Sequence, residues 1–314
     1  MLHKENTPKA ILLIILGMSI FSIQDALIKF LSAEINIFLI YFSRSLIAII
    51  ILIFYLKSFK QPIIFKTNYP FITIIRCIMF FLAFSLYYVS LTKLSLAVAT
   101  TLFFASPFFI SLFSMLLLNE QIGMRRWLAM IFGFIGVFLV MDPDFENFNI
   151  YTTFPIICAL FYALTMVIQK KYYLDNLFSQ TFHLYFAALF FSSIIGIILY
   201  FYQFETSNDI SKFLFKPWAF NKSSNIFILI LIGLMANIGF LSVIQSYKIG
   251  SPPSVAPFEY ILIFWALLLS WMFWQETLNM KGYLGLFLII SAGLYTFIRE
   301  KIKNKQVTID KPLR

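Results

Sequence analysis

Apolar residues run along this chain in long stretches. Ten of them reach or approach the roughly 20 residues that a helix rising about 1.5 Å per residue needs to cross a bilayer. They cover residues 10–31, 35–56, 70–91, 95–118, 127–141, 150–169, 178–202, 226–247, 254–274 and 283–298, the fifth and tenth being short. The first follows Lys4 and Lys9, but it is too long for a signal peptide and contains Gln24, Asp25 and Lys29, so it reads as a retained helix. Connections are tight except 203–225, whose Asn, Ser, Asp, Lys and Pro residues read as an external loop. The pattern predicts an all-α polytopic membrane protein of ten transmembrane helices, with no room for a soluble domain.

Composition strengthens that reading. Hydrophobic residues make up 61% and charged residues 12%, against roughly 45–50% and about 25% in soluble domains. The 40 Phe residues spread over nearly every apolar run, which suits lipid as the solvent. The net charge of +10 sits at the ends of these runs, so it speaks for membrane orientation and against nucleic acid as a partner. With the N-terminus in the cytoplasm, 16 Lys and Arg fall on the cytoplasmic side and 6 on the other, and Arg44 and Arg76 lie inside helices. That bias predicts a bacterial inner-membrane protein with both termini cytoplasmic. Cys77 and Cys158 lie in apolar runs as small buried hydrophobes. The two histidines, His3 in the tail and an interfacial His183, cannot build a metal cluster, and no glycine loop cradles a phosphate. No metal, no cofactor and no enzyme activity are expected.

Shifting the chain against itself by 156 residues aligns two long stretches without a gap. The acidic helix ends Glu120 and Glu276 meet, each followed five residues later by a base (Arg125, Lys281) and seven later by an aromatic (Trp127, Tyr283). The unit holds five helices, and an odd number inverts the second copy. The expected organisation is residues 10–141, an inverted copy at 150–298, and a basic cytoplasmic tail at 299–314. Inverted halves meeting at the bilayer midplane characterise secondary transporters, because exchanging the conformations of the halves opens one site to either side.

The stretch 86–141, with Tyr87-Tyr88-Val89-Ser90-Leu91, Leu94-Ser95-Leu96-Ala97-Val98-Ala99-Thr100, Pro107, Leu118-Asn119-Glu120 and Gly133-Phe134-Ile135-Gly136-Val137, resembles the first EamA repeat of the drug/metabolite transporter superfamily. The stretch 246–296, with Ala256-Pro257-Phe258-Glu259-Tyr260 and Trp274-Gln275-Glu276, resembles the second. The layout is also similar to the S-adenosylmethionine uptake branch of intracellular bacteria. This resemblance implies a ten-helix carrier for amino-acid-like, nucleoside-like or S-adenosylmethionine-like metabolites. The family often has a basic residue where Glu259 stands, a departure that favours a cationic or zwitterionic solute.

Ionisable residues inside apolar runs are the candidates for a site, since each costs on the order of 2.5–3.5 kcal/mol unless paired or facing a cavity. Asp25 and Lys29, four apart on one helix face, either pair with each other or divide between a site and the outer interface. Arg44 lies roughly 14 Å deep, with a solute carboxylate or phosphate, or Asp25, as its natural partner. Arg76 either reaches the cytoplasmic interface or joins the site, with Glu259 as a possible partner across the repeat. Pro107 and Pro257, with Pro252 and Pro253, interrupt corresponding helices of the two halves, a pointer to a binding site. Tyr87, Tyr88, Phe103, Phe104, Tyr260 and Trp265 are candidate aromatic walls. The expected partners are a small-molecule substrate and the lipid bilayer, with Glu259 or Asp25 as the group for any proton coupling. Alternatives are an exporter of metabolites or drugs on the same fold, and a non-transporting membrane receptor or scaffold; direction and oligomeric state are not legible.

Overall fold

The computed structural model describes residues 7–60, 62, 65–119, 124–141, 149–172, 175–202, 204, 209–218, 223–250 and 255–309. Every regular element among them is helical. In chain order these are α1 (Thr7–Leu31), α2 (Ile37–Ser58), α3 (Pro70–Ser90), α4 (Leu96–Phe103), α5 (Ser106–Leu118), α6 (Met124–Met141), α7 (Thr153–Lys171) and α8 (Leu177–Phe201). There follow α9 (Asp209–Phe215), α10 (Ser223–Ile249), α11 (Ile261–Trp274) and α12 (Met280–Ile309). Two 3-10 segments, Ile150–Thr152 and Ala256–Tyr260, lead into α7 and α11. Among the described residues, seven helical stretches, counting α4 and α5 as one, are long and apolar enough to cross a membrane, and three shorter ones fall at Ile131–Val140, Phe258–Trp274 and Met280–Ala292.

Local chemistry sets many of the boundaries. The side chains of Asn36, Ser95 and Asn176 accept hydrogen bonds from the first free backbone N–H groups of α2, α4 and α8. At the other end, α5 and α11 both stop on a left-handed residue, Asn119 and Gln275, each with φ 56°. These two positions lie 156 residues apart, the offset of the sequence repeat.

The expected fourth span is broken into two helices. Phe104 and Ala105 take 3-10-type bonds to Thr101 and Leu102, and Pro107 sits in the first turn of α5, where its missing N–H is no loss. The ninth span starts as the 3-10 segment holding Pro257. The expected loop at 203–225 contains a helix, α9, and the expected tail continues α12 as far as Ile309. Glu120, Pro252 and Pro253 lie outside the described residues, as do the side chains of Arg125 and Pro257.

Packing runs chiefly between the two halves of the chain. The principal neighbours are α1 with α10, α3 with α7, α2 with α8, α6 with α12, α5 with α7, α2 with α10, α1 with α11 and α4 with α11. Each pair joins a helix before residue 142 to one after 149. α6 and α12 approach closely: a Cβ on Gly136 would stand 2.6 Å from the Gly285 carbonyl oxygen, and one on Gly285 would fall against that of Gly136. Glycine is what lets two apolar backbones approach this closely without a solvent-driven force between them.

Candidate functional site

Between the halves lies a cavity reached by α1, α2, α3, α4, α7, α10 and α11. Its walls are aromatic, formed by Phe21, Phe80, Phe84, Tyr87, Phe103 and Phe240. Its polar face is Gln24, Asp25, Arg44 and Tyr88. The open space has room for only about two waters.

Asp25 and Arg44 are joined through a phenol. Arg44 Nη1 donates to Tyr88 Oη at 3.5 Å, and Tyr88 Oη donates to Asp25 Oδ1 at 3.2 Å. All three residues are buried. Arg44 also lies over the Phe240 ring, 5.2 Å from its centroid, a contact whose electrostatic attraction grows where water is excluded. Among the described residues no carboxylate lies within 4.0 Å of Arg44, so its fork of donors keeps capacity for a ligand. Beside it, Gln24 Oε1 is buried with no hydrogen-bond partner. The cavity thus offers both donors and a free acceptor, a match for a solute carrying both signs of charge.

Glu259 lies behind this wall. It is fully buried, and its Oε1 accepts from Tyr162 at 2.7 Å and from Tyr247. Its Oε2 has no partner. Tyr162 itself lines the cavity, so one ring separates the carboxyl group from the open space.

Several expectations are corrected by these contacts. Lys29 does not pair with Asp25; its Nζ meets Glu276 Oε2 at 2.7 Å and the Leu94 carbonyl at 3.4 Å, and lies 4.7 Å over the Trp274 ring. Arg76 does not meet Glu259. It is buried and donates to Gln169 Oε1 at 3.3 Å and to the Gln180 carbonyl at 3.2 Å. Tyr87, Tyr88 and Phe103 line the cavity, whereas Phe104, Tyr260 and Trp265 do not. Tyr260 stacks on Phe104 with centroids 4.8 Å apart and donates to the Ile289 carbonyl, and Trp265 donates to Ser19. These three hold helices together.

Other residues were not flagged by their sequence at all. Tyr162 and Tyr247 are two of 16 tyrosines, and nothing in their neighbours marks them as ligands of a carboxylate. Asp175, beyond the end of α7, accepts from Thr67, from the Asn68 backbone N–H at 2.7 Å and from Asn68 Nδ2 at 2.8 Å. It ties the segment before α3 to the one before α8. Lys29–Glu276 and the Asp175 cluster each join the two halves of the chain or their connecting segments, outside the residues that line the cavity.

Comparison with known proteins finds transporters among the relatives of this chain. The chain is 23% identical over 281 residues to the S-adenosylmethionine uptake transporter of Rickettsia prowazekii (strain Madrid E), covering 89% of each. It is 25% identical over 283 residues to the pseudopaline exporter CntI of Pseudomonas aeruginosa (strain UCBPP-PA14), covering 90% of this chain and 93% of that one. An uncharacterized transporter of Helicobacter pylori (strain ATCC 700392 / 26695) is 27% identical over 302 residues. A protein crystal structure superposes with a TM-score of 0.67 at 16% identity over 91% of this chain and 95% of that one, a likeness of fold alone. The profile of the EamA-like transporter family matches residues 8–142 and again 150–298. With the family profile matching both halves of the chain over nearly its whole length, this membrane protein belongs to the EamA-like transporter family.

Proposed function

We propose that this protein is a secondary carrier of ten transmembrane helices, arranged as two inverted five-helix repeats, that moves a zwitterionic amino-acid-type solute across the bacterial inner membrane. The observation that carries it is the buried chain Arg44–Tyr88–Asp25 facing an aromatic cavity between the halves. Arg44 takes the solute carboxylate, Gln24 and Asp25 take its ammonium group, and the aromatic walls take a planar or sulfonium-bearing remainder. S-adenosylmethionine has all three parts, and the Rickettsia relative supports it as the first solute to test.

The inverted arrangement is supported by the packing. Exchanging the first five spans with the second five turns α1·α10 into α3·α7 and α5·α7 into α1·α11, and leaves α2·α8, α4·α11 and α6·α12 unchanged. The Phe104–Tyr260 stack joins residues 156 apart, as a pseudo-two-fold axis near the helix breaks requires. With the N-terminus cytoplasmic, Lys29–Glu276 falls toward the outer side and the Asp175 cluster toward the inner side, which supports reading them as the two gates of the carrier.

Proteoliposomes containing the protein should take up labelled S-adenosylmethionine saturably in counterflow, and Arg44→Ala should lower kcat/KM by about 100-fold or more, as expected for removal of a buried charged partner, while the thermal melt stays cooperative. Undiminished flux in that variant removes Arg44 from the site. If flux is coupled to protons, Glu259 is the group that carries them, because Oε2 is unpartnered and Tyr162 links it to the cavity. Glu259→Gln should then abolish the response to an imposed pH gradient while keeping exchange of solute for solute. Export on the same fold is a second reading, favoured by the similarity to the pseudopaline exporter.

A further inference from the structure

Arg76 is a buried cation without a carboxylate. Its Nη atoms reach only neutral amide oxygens, Gln169 Oε1 and the Gln180 carbonyl, and its Nε is buried with no acceptor. Among the described residues no carboxylate lies within 4.0 Å of it. Asp175 is in the neighbourhood, but both of its oxygens are engaged by Thr67 and Asn68. A guanidinium this dry is expensive unless an anion comes to it during the protein's working cycle.

Open space extends toward it as far as the adjacent residue. A second cavity shares Arg44, Phe80, Phe84 and Phe240 with the first, and runs on to Cys77, the residue next to Arg76, and to Leu184 on α8. Along α3, Arg76 is twelve residues from Tyr88, the residue that holds Arg44, which is about 18 Å at the helical rise. A second buried guanidinium thus lies on α3 next to a residue that lines the second cavity, about 18 Å along the helix from Tyr88.

We propose that Arg76 is a second anion-binding station, which receives the carboxylate of the solute from Arg44 on its way to or from the cytoplasmic side. This rests on the carrier reading, because only a moving solute needs two stations. The chemical class it selects is a small carboxylate or sulfonate. Gln180, whose Oε1 is also buried and unpartnered, would turn to accept from the ammonium group that accompanies it.

The native thiol of Cys77 reports on this station without any transported solute. In the full chain carrying Cys158→Ala, Cys77 is reacted with an anionic (sulfonatoethyl) and a cationic (trimethylammonioethyl) methanethiosulfonate. Labelling is read by intact-protein mass spectrometry, and each rate is divided by that of the same reagent on a free small thiol. The anionic reagent should be favoured by about tenfold, the size of one nearby unscreened charge. Arg76→Gln should bring the ratio near one, Arg76→Lys should keep it, and Arg44→Gln should keep most of it. A ratio near one in the parent protein overturns the proposal, as does an unchanged ratio in Arg76→Gln. So does a Cys77 that reacts only after denaturation, because the second cavity then never opens to Arg76. Should Arg76→Gln not fold, loss of the preference in Arg44→Gln overturns it and retention supports it. Absence of S-adenosylmethionine flux would sink the solute assignment and leave this measurement standing.

Discussion

Lys29 on α1 and Glu276 just beyond α11 are 247 residues apart in sequence and 2.7 Å apart in space. The pair is reinforced by Ser270, which donates to the same carboxylate oxygen at 3.2 Å, and by the Trp274 ring beneath the ammonium group. Lys29 stands one helical turn beyond Asp25, so the helix that carries the acidic residue of the site also carries half of the proposed outer gate. Movement of α1 toward or away from a ligand is thereby transmitted to the latch.

Breaking that latch should favour the outward-open form. The Lys29 side chain is 9% exposed and that of Glu276 36%, so the pair is worth more than a solvent-exposed one but remains within about 1–2 kcal/mol, roughly a five- to thirty-fold shift in population. Glu276→Gln should raise, by several-fold, the rate at which an impermeant maleimide labels a cysteine placed at Gln24 from outside. The exchanged pair Lys29→Glu with Glu276→Lys should return it toward the parent value. Equal rates in all three proteins would show that another contact closes this end.

Tyr88→Phe removes the atom that both accepts from Arg44 and donates to Asp25. Two buried charged groups are left without their shared partner, so a loss of about 1–3 kcal/mol in unfolding free energy is expected, together with weaker solute binding. Denaturant unfolding and a binding isotherm check the two effects separately.

At the crossing of α6 and α12, Gly136→Ala should destabilise the fold by about 1–3 kcal/mol, the usual range for overpacking a close contact. Its new Cβ would lie against backbone, which cannot turn aside as a side chain can. Gly285→Ala should cost as much, and the double variant less than the sum, because either change alone forces the same separation. Melting temperatures of the three proteins in one detergent decide this.

Asp175 lies outside the helices, and burial raises its pKa, but the hydrogen bonds from the Asn68 backbone, Thr67 and the Asn68 side chain outweigh that and hold it below 3.8. A carboxyl group with a depressed folded-state pKa stabilises the fold above its unfolded value, and that contribution is lost as pH falls through the folded one. Asp175→Asn should therefore melt lower than the parent at pH 7, and the gap should narrow once the pH drops below 3.8. A gap that persists unchanged at the lowest pH at which the parent stays folded would assign the loss to geometry and not to charge.

The buried charges were legible because their cost is paid residue by residue: Asp25, Lys29, Arg44, Arg76 and Glu259 each stand out against apolar neighbours wherever the helix turns. Their partners were not. Lys29 had a plausible mate four residues away and found another on the far half, while Arg76 and Glu259 each settled among neutral groups on neighbouring helices. Tyr260 and Trp265 looked like walls of the site, yet their polar atoms bind Ile289 and Ser19 between helices.

The sequence by itself determined that this chain belongs in lipid, because an apolar run long enough to cross a membrane is a local property that needs no knowledge of neighbours. It also determined where the helix breaks and the internal repeat lie, since proline position and self-similarity are read along one dimension. Only the tertiary structure decided which faces meet and which charges share a cavity. A helix that is apolar on every side carries no stripe to say where its neighbour stands, so the rotation that brings Arg44 to Tyr88 and turns Lys29 toward Glu276 is fixed by packing between distant segments.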